Sequence, residues 1–365
     1  MHCVNSPRHF RVAEHRLRQR QSPLRRQPNM VGNRRKLHHN WCQQGTPPNI
    51  TTPRDEHPPV FPHRKQQNCY NLPMNVPFDL RYLIRAGFYY GDYDGHSRPP
   101  AFDLHLDGKK WSTVNTSSSI GQPIYHEAYY RAHWPGQISV CLVQTRHGEV
   151  PFISSLEAVP LSDDLYSHMK TNSTFLLVTR TIFGAPEIRD DAYDRIWTSG
   201  AIPPNSIQVS TTQYSTSTTE NDPPLPVLMS NIQSPTPSDP IILSVDLPQV
   251  TPQSAYFVFY LTDVMPRESF GDTRIVDIYI NGQKRVTVFS YQFSCYGVTI
   301  YPVILVGPTV NVTLAATNES TLPPIVTAME IFTRADQSPS SNDTHEHLSP
   351  MYLRLVLICL LSWLF

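Results

Sequence analysis

Hydrophobic positions between Val60 and Gln337 alternate with polar ones in short runs, and the region shows no sustained helical period. In FDLHLDG, Phe102, Leu104 and Leu106 fall on one side of an extended chain, and the residues between them fall on the other. A second run, VDIYING, repeats this pattern. Alternation with a period of two predicts half-buried strands. The Asp-Gly and Asn-Gly pairs that end the runs accept the positive φ angles of a type I′ turn, so each run predicts one strand of a tight hairpin.

The chain contains two copies of this β unit. Tyr82–Asp103 aligns without a gap with Tyr256–Asp277 at a constant offset of 174 positions, and VCLVQTRHGEVPFISSLE aligns with VTLAATNESTLPPIVTAME after one insertion. Matched segments in the same order indicate an internal duplication. We therefore predict an all-β protein of two tandem β-sandwich, jelly-roll-like domains over residues 60–200 and 201–337.

Charge is unevenly distributed along the chain. The totals balance, with 30 Lys plus Arg against 30 Asp plus Glu, so we predict no nucleic-acid partner. Within the first 48 residues, however, ten basic residues accompany one acid, Glu14. This arm lacks an apolar run that could form the core of a signal peptide. We predict that residues 1–59 are a disordered or mispredicted basic leader outside the fold.

Three of the six cysteines, Cys69, Cys141 and Cys295, lie in the region predicted to fold. The sequence has no CxxC pair and no zinc-type spacing with histidine, so we predict neither a metal site nor a cofactor. Three cysteines form at most one disulfide, and the sequence leaves all three pairings open.

Asn-X-Ser/Thr triplets favour passage through the secretory pathway. Two triplets, at Asn49 and Asn342, flank the predicted domains. The four glycosylation candidates within the domains are Asn115, Asn172, Asn311 and Asn318.

The C-terminal end has the order of a GPI-attachment signal. Small residues at Ser340, Ser341 and Asn342 lie in a polar spacer over residues 338–350, and an apolar tail follows over 351–365. The tail is too short to span a bilayer comfortably. We predict a protein on the extracellular side of the plasma membrane, held by a GPI anchor or by a membrane-associated tail; an out-of-frame ending is the remaining alternative.

The stretch YGDYDG suggests a calcium loop because Asp92 and Asp94 are spaced by two. An EF-hand needs glycine at its sixth position and glutamate at its twelfth, where this chain has Ser97 and Asp103. We therefore predict a turn shaped by Asp and Gly residues.

Aromatic residues beside acids can stack on sugar rings and bind their hydroxyl groups. This pattern makes Tyr89, Tyr90, Tyr93 and Asp94 candidates for ligand binding; the alternative is that alternate aromatic residues belong to the core. The sequence lacks a nucleophile elbow, a P-loop, a dinucleotide fingerprint and the protein-kinase motifs, so we predict no enzymatic activity.

The motifs QQNCYNLP, RYLIRAGFYYGDYDG, FDLHLDGKKW, ISVCLVQT, PFISSLEAVPL and DDAYDRIW, in this order, resemble the malectin-like extracellular domain of plant leucine-rich-repeat receptor-like kinases. The resemblance covers about Val60 to Asp336 and implies two tandem malectin-like β-sandwiches at the cell surface. This chain departs from the family by lacking a kinase and the opening strand, and loss of that strand would expose a sheet edge.

The resemblance implies a non-catalytic protein that binds a cell-wall glycan, a secreted peptide or a receptor kinase ectodomain, as co-receptor or scaffold. Two alternatives are a truncated fragment of a receptor-like kinase without independent function, and a cell-wall-active hydrolase.

Overall fold

The computed structural model describes residues 11–12, 67–73, 80–92, 95, 97–119, 121–132, 136–169, 173–211, 219–248, 252–264, 271–292 and 294–335. These residues form twenty strands and two short 3-10 helices, Thr116–Ser119 and Leu225–Met229. In chain order, the strands are β1 Arg11–Val12, β2 Gln67–Pro73, β3 Leu80–Phe88, β4 Ala101–Leu106, β5 Lys109–Asn115, β6 Ile124–Ala132, β7 Gln137–Gln144, β8 Ser155–Leu161, β9 Phe175–Ile182, β10 Thr198–Ser199, β11 Ile207–Ser210, β12 Ser230–Gln233, β13 Ile241–Asp246, β14 Gln253–Thr262, β15 Arg274–Ile280, β16 Gln283–Ser290, β17 Cys295–Leu305, β18 Thr309–Ala316, β19 Ile325–Val326 and β20 Ala328–Arg334.

One sheet runs through both copies of the duplicated unit. Its strand order is β1-β8-β3-β6-β9-β20-β14-β17, and β10 pairs beside β9. The order repeats after four strands, because β8, β3 and β6 of the first half correspond to β20, β14 and β17 of the second. Strand β9 joins the halves: it pairs with β6 over two residues and with β20 over its length.

Two four-stranded sheets, in the matching orders β2-β7-β4-β5 and β13-β18-β15-β16, pack against the shared sheet. Each encloses a hydrophobic core with one half of it, the first around Ile84 and Leu104, the second around Phe257 and Ile278. A third cluster, with side chains such as Tyr129 and Tyr256 from both halves, covers the other face of the shared sheet. The all-β prediction is confirmed, and the sandwiches share one layer.

Both predicted hairpins are present. Asp107 and Gly108 have φ angles of 46° and 78°, and Asn281 and Gly282 have 49° and 76°. Positive φ at both central residues is the type I′ geometry, which matches the twist of the strands that it joins. Strands β4–β5 and β15–β16 also carry an irregularity of register at equivalent positions, between Leu104 and His105 in the first copy and 174 positions later in the second.

The duplication extends to side-chain hydrogen bonds. The Thr113 hydroxyl donates to Asp103 at 2.7 Å, and the Thr287 hydroxyl donates to Asp277 at 2.6 Å. In each hairpin, the lysine near the start of the returning strand lies 2.9 or 2.8 Å from the second carboxylate oxygen. Burial alone would raise the pKa of each carboxyl group, but these hydrogen bonds and the lysine charge lower it.

The gap-free alignment needs one correction. At the constant offset, Tyr82 of β3 corresponds to Tyr256 of β14, but Tyr82 faces the first core while Tyr256 faces the third cluster. Side chains alternate along a strand, so a slip of one residue exchanges the two faces. The offset therefore holds for the hairpins, whereas β3 and β14 match only after a shift of one residue.

The disulfide joins Cys69 of β2 to Cys141 of β7, which are directly opposite each other in the register. Cys295 remains a buried thiol, and burial raises its pKa. The structure thus selects one of the three pairings left open by the sequence.

Within the N-terminal arm, Arg11–Val12 forms a two-residue strand parallel to β8. These two residues depart from the prediction that the arm takes no part in the fold, because the outer edge of β8 offers backbone groups that β3 does not use.

Candidate functional site

The segment YGDYDG forms the predicted turn in its described residues. Asp92 and Gly95 have positive φ angles of 56° and 64°, and the Gly95 amide donates to the Asp92 carbonyl oxygen at 3.0 Å. The Asp92 carboxylate also accepts the Ser97 amide at 2.6 Å. This carboxylate therefore shapes the backbone of the turn.

Two of the four ligand-binding candidates can be placed, and they differ. Tyr90 is 7% exposed, and its hydroxyl donates to Asp92 Oδ1 at 3.1 Å and accepts the Arg98 amide at 3.2 Å. Tyr89 is half-buried, and its amide donates to Ser154 Oγ at 3.0 Å. Tyr90 is thus positioned to hold the loop, and Tyr89 is partly exposed beside it. Tyr93 and Asp94 lie outside the described residues.

Exposed and half-buried side chains from distant parts of the chain meet near the same end of β3. The guanidinium carbon of Arg189 lies 5.4 Å from the centre of the Tyr125 ring, and its Nε donates to Glu187 at 2.6 Å. The absence of a side chain at Gly87 lets the Tyr125 ring lie close to β3. A Cβ at this position would collide with Ser155 Oγ and lie 3.1 Å from the Tyr125 ring.

We call Tyr89, Tyr125, Glu187 and Arg189 the outer rim. The side chains of Arg189 and Glu187 are 46% and 42% exposed. Sequence reasoning missed Glu187 and Arg189 as site residues, since their distance along the chain from the aromatic residues gives no signal that they meet.

A buried group of charges lies on the same face of the shared sheet, where the halves join. Arg180 of β9 pairs with Glu127 at 2.7 Å in the first half and with Glu330 at 2.8 Å in the second. It also donates to the Tyr129 hydroxyl at 2.6 Å. The side chain of Arg180 is 0% exposed, so one guanidinium links the two copies without contact with water.

The network extends in both directions from Arg180. Arg85 bridges Glu127 and Glu157 at 2.8 Å each, and Glu157 is 27% exposed at the edge of the sheet. Burial would raise the pKa of Glu127, but the charges of Arg180 and Arg85 and their hydrogen bonds outweigh burial and lower it. Glu127 is therefore ionised.

In the second half, Glu330 accepts hydroxyl hydrogen bonds from Tyr166 at 2.8 Å and from Tyr260 at 2.9 Å. Arg195 donates to Tyr166 at 3.1 Å and pairs with Asp191 at 3.0 Å. Burial raises the pKa of Tyr166 to about 12, so this hydroxyl keeps its proton as a donor.

The described glycosylation candidates lie on the layer of four-stranded sheets. Asn115 ends β5, Asn311 is on β18, Asn318 follows β18, and all three are exposed. Modification at these positions stays a prediction. Asn172 and the candidate attachment residues Ser340, Ser341 and Asn342 lie outside the described residues.

The family model of the malectin-like domain matches residues 39–334. The chain belongs to the malectin-like domain family.

Two relatives of this malectin-like chain are probable LRR receptor-like serine/threonine-protein kinases of Arabidopsis thaliana. At1g51810 is 31% identical over 276 residues, which cover 74% of this chain and 30% of the relative. At1g07550 is 30% identical over 291 residues, covering 77% and 32%. The malectin-like chain thus spans about a third of the length of these relatives.

Solved structures show the same fold at lower identity. The plant receptor-like kinase FER matches with a TM-score of 0.59 at 15% identity, covering 76% of this malectin-like chain and 81% of FER. A complex of the plant peptide RALF23 with FER and LLG2 matches with a TM-score of 0.58 at 14% identity, covering 76% and 82%. In the part of the chain that the structure describes, we find no helix with the length and apolar character needed to cross a membrane.

Proposed function

We propose that this malectin-like chain is a non-catalytic protein of the cell surface that binds a secreted peptide or a receptor ectodomain, as a co-receptor or scaffold in receptor-like signalling. The outer rim carries the proposal. The half-exposed Arg189 side chain lies over the ring of the half-buried Tyr125, and the half-buried Tyr89 follows the same end of β3. Such side chains are enriched at protein-binding surfaces and dominate their binding energy.

The buried network supports a binding role over a hydrolytic one. A glycosidase needs two carboxyl groups that reach a bound sugar from opposite sides. Glu127 and Glu330 are 3% and 0% exposed, and each is neutralised by arginine. Their arrangement is suited to fixing the sheet beneath the rim.

The choice of partner is supported by relatives. FER has been crystallised with the peptide RALF23 and with LLG2. We extend peptide and receptor-type partners to this chain because its fold is the same. The three exposed glycosylation candidates lie on the opposite layer, so glycans at these positions would leave the rim accessible.

Attachment to the membrane is part of the proposal. The spacer over residues 338–350 and the apolar tail over 351–365 have the order that GPI attachment requires. Release of the cell-surface protein by a phosphatidylinositol-specific phospholipase supports a GPI anchor. Retention after this treatment contradicts the anchor and favours a membrane-associated tail.

Binding to secreted peptides, receptor ectodomains and a glycan array tests the function, with the full chain as the probe. We expect Arg189→Ala to weaken peptide or ectodomain binding by roughly tenfold or more, because it removes a rim arginine. Tyr89→Ala should also weaken peptide or ectodomain binding. Arg285→Ala is the control, since Arg285 is exposed on β16 of the second half.

Three results would contradict or redirect the proposal. Unchanged binding by both rim variants contradicts the rim as the site. A signal on the glycan array alone, reduced by Tyr89→Ala, replaces the peptide partner with a carbohydrate. Absence of any binding favours a receptor fragment without independent function.

A further inference from the structure

The duplicated topology shows that the outer edge of β8 is a position for a strand. In the shared sheet, β20 lies between β14 and β9, and β8 lies between β3 and β1. Strand β1 therefore holds the place in the first half that β9 holds in the second. The two differ in extent: β9 has eight residues and runs antiparallel to β20, whereas β1 has two residues and runs parallel to β8.

Most of this position has no strand beside it in the described part of the chain. Strand β8 pairs with β3 along its full length, from Ser155 to Leu161, and with β1 only at Glu157 and Ala158. In an antiparallel pair, alternate residues direct their amide and carbonyl groups away from the partner strand. Those groups make the outer edge of β8 a template for another extended segment.

The two halves place the same residue types across this pair of strands. In the second half, Arg180 of β9 is directly opposite Glu330 of β20 and forms an ion pair with it. In the first half, Arg11 is directly opposite Glu157. Glu157 is 27% exposed at this edge. In both halves, therefore, an arginine of the outer strand (β1 or β9) is directly opposite a glutamate of the neighbouring strand (β8 or β20).

We propose that the outer edge of β8 is a strand-binding site whose ligand is the segment of this chain around Arg11–Val12, bound by backbone pairing with an arginine opposite Glu157. The basic character of the arm suits an edge that presents a carboxylate. Arg11–Val12 then covers part of a sheet edge that would otherwise be open to other extended chains. This inference is independent of the partner proposed for the outer rim.

Hydrogen–deuterium exchange of the full chain, followed in the peptide that contains Ser155–Leu161, tests the proposal. Val12→Pro removes a backbone donor, and Arg11→Glu reverses the charge opposite Glu157. We expect both variants to exchange about tenfold faster in this peptide, the effect of losing an ordinary hydrogen bond. Arg18→Glu is the control for charge in the arm and should exchange like the natural chain.

A synthetic peptide of residues 8–16 provides the second measurement. Added to the Val12→Pro variant, it should restore slow exchange of β8. Exchange in β6 should stay unchanged throughout, which separates release of the arm from unfolding. Equal exchange of β8 in the natural chain and in both variants would overturn the proposal. A dimer of the natural chain that Val12→Pro converts to a monomer would also overturn it, since the strand would then come from a second copy.

Discussion

At the scale of single residues, the burial of charged side chains opposes folding. Arg180 and Glu330 have side chains that are 0% exposed, and removal of two such ions from water costs several kcal/mol each. The cost is offset here because each charged group has several partners. Glu330 accepts from Arg180, Tyr166 and Tyr260. In the sequence, such a network is indicated by a charged residue within an otherwise apolar strand, such as Arg180 in FLLVTRTI.

His126 is a half-buried residue whose ring nitrogen Nε2 is buried. Its Nε2 atom has no hydrogen-bond partner among the described residues, and burial lowers its pKa to about 4. The side chain is therefore neutral in the folded protein at pH 7. Its ring centre lies 6.1 Å from that of Phe88, beside the first core.

His126 should make stability fall as the pH falls from 6.5 towards 4. The unfolded chain takes up a proton near the ordinary pKa of about 6.5, while the folded protein resists protonation until about pH 4. At pH 5, this difference lowers the free energy of unfolding by about 2 kcal/mol relative to pH 7. His126→Gln should remove that part of the loss, as measured by denaturant unfolding at both pH values.

His147→Gln is the control for this prediction, because His147 is exposed. We expect its pH dependence to follow that of the natural chain. If the His126→Gln profile also runs parallel to the natural one between pH 7 and pH 5, burial of a neutral imidazole is not the cause.

At the scale of elements, the hairpins were predictable from the sequence because local chemistry determines them. The Asp-Gly and Asn-Gly pairs fix the turns, and alternation fixes the faces of β4 and β15. The correspondence between β3 and β14 was not predictable from a constant offset, because β14 is apolar on both faces. Where neither face is polar, alternation no longer marks which one is inside.

The outer rim shows a second limit of the sequence. Tyr89 was a candidate because it lies among aromatic residues, but its neighbour Tyr90 proved to be buried. Tyr125 and Arg189 are 64 positions apart and meet only after β3, β6 and the segment that follows β9 are assembled. A pattern within a short window cannot contain such a pair.

The two type I′ turns should respond alike to substitution. Gly108 and Gly282 have φ angles of 78° and 76°, and neither would place a new Cβ within 4 Å of another group. The cost of Gly108→Ala or Gly282→Ala is therefore conformational, about 1–2 kcal/mol in the free energy of unfolding. Asparagine tolerates positive φ better than alanine, so Gly108→Asn should cost less. A loss for Gly108→Asn equal to that for Gly108→Ala, in denaturant unfolding, would contradict this explanation.

At the scale of the whole molecule, the two copies are joined by backbone pairing and by ion pairs. The shared sheet crosses from β6 to β9 to β20, and the Arg180 guanidinium binds carboxylates from both halves. The boundary between residues 200 and 201 stays a prediction. We propose a boundary ahead of β9, because β9 pairs with β20 over its whole length.

We therefore expect the chain to unfold in a single cooperative transition that depends on Arg180. Arg180→Met keeps an unbranched side chain but leaves Glu127 and Glu330 without their shared cation. Loss of one partner from a buried ion pair typically costs about 3–5 kcal/mol. Because the lost contacts join the halves, calorimetry should show a lower midpoint and two separate transitions.

Arg285→Met is the matched control, because Arg285 is exposed on β16, and its unfolding should follow that of the natural chain. A double variant, Arg180→Met with Glu330→Gln, also removes the carboxylate charge that Arg180 neutralised in the second half. It should recover part of the stability lost by Arg180→Met alone, since an amide costs less than a carboxylate to bury. A single transition at the natural midpoint for Arg180→Met would mean that strand pairing alone couples the two copies.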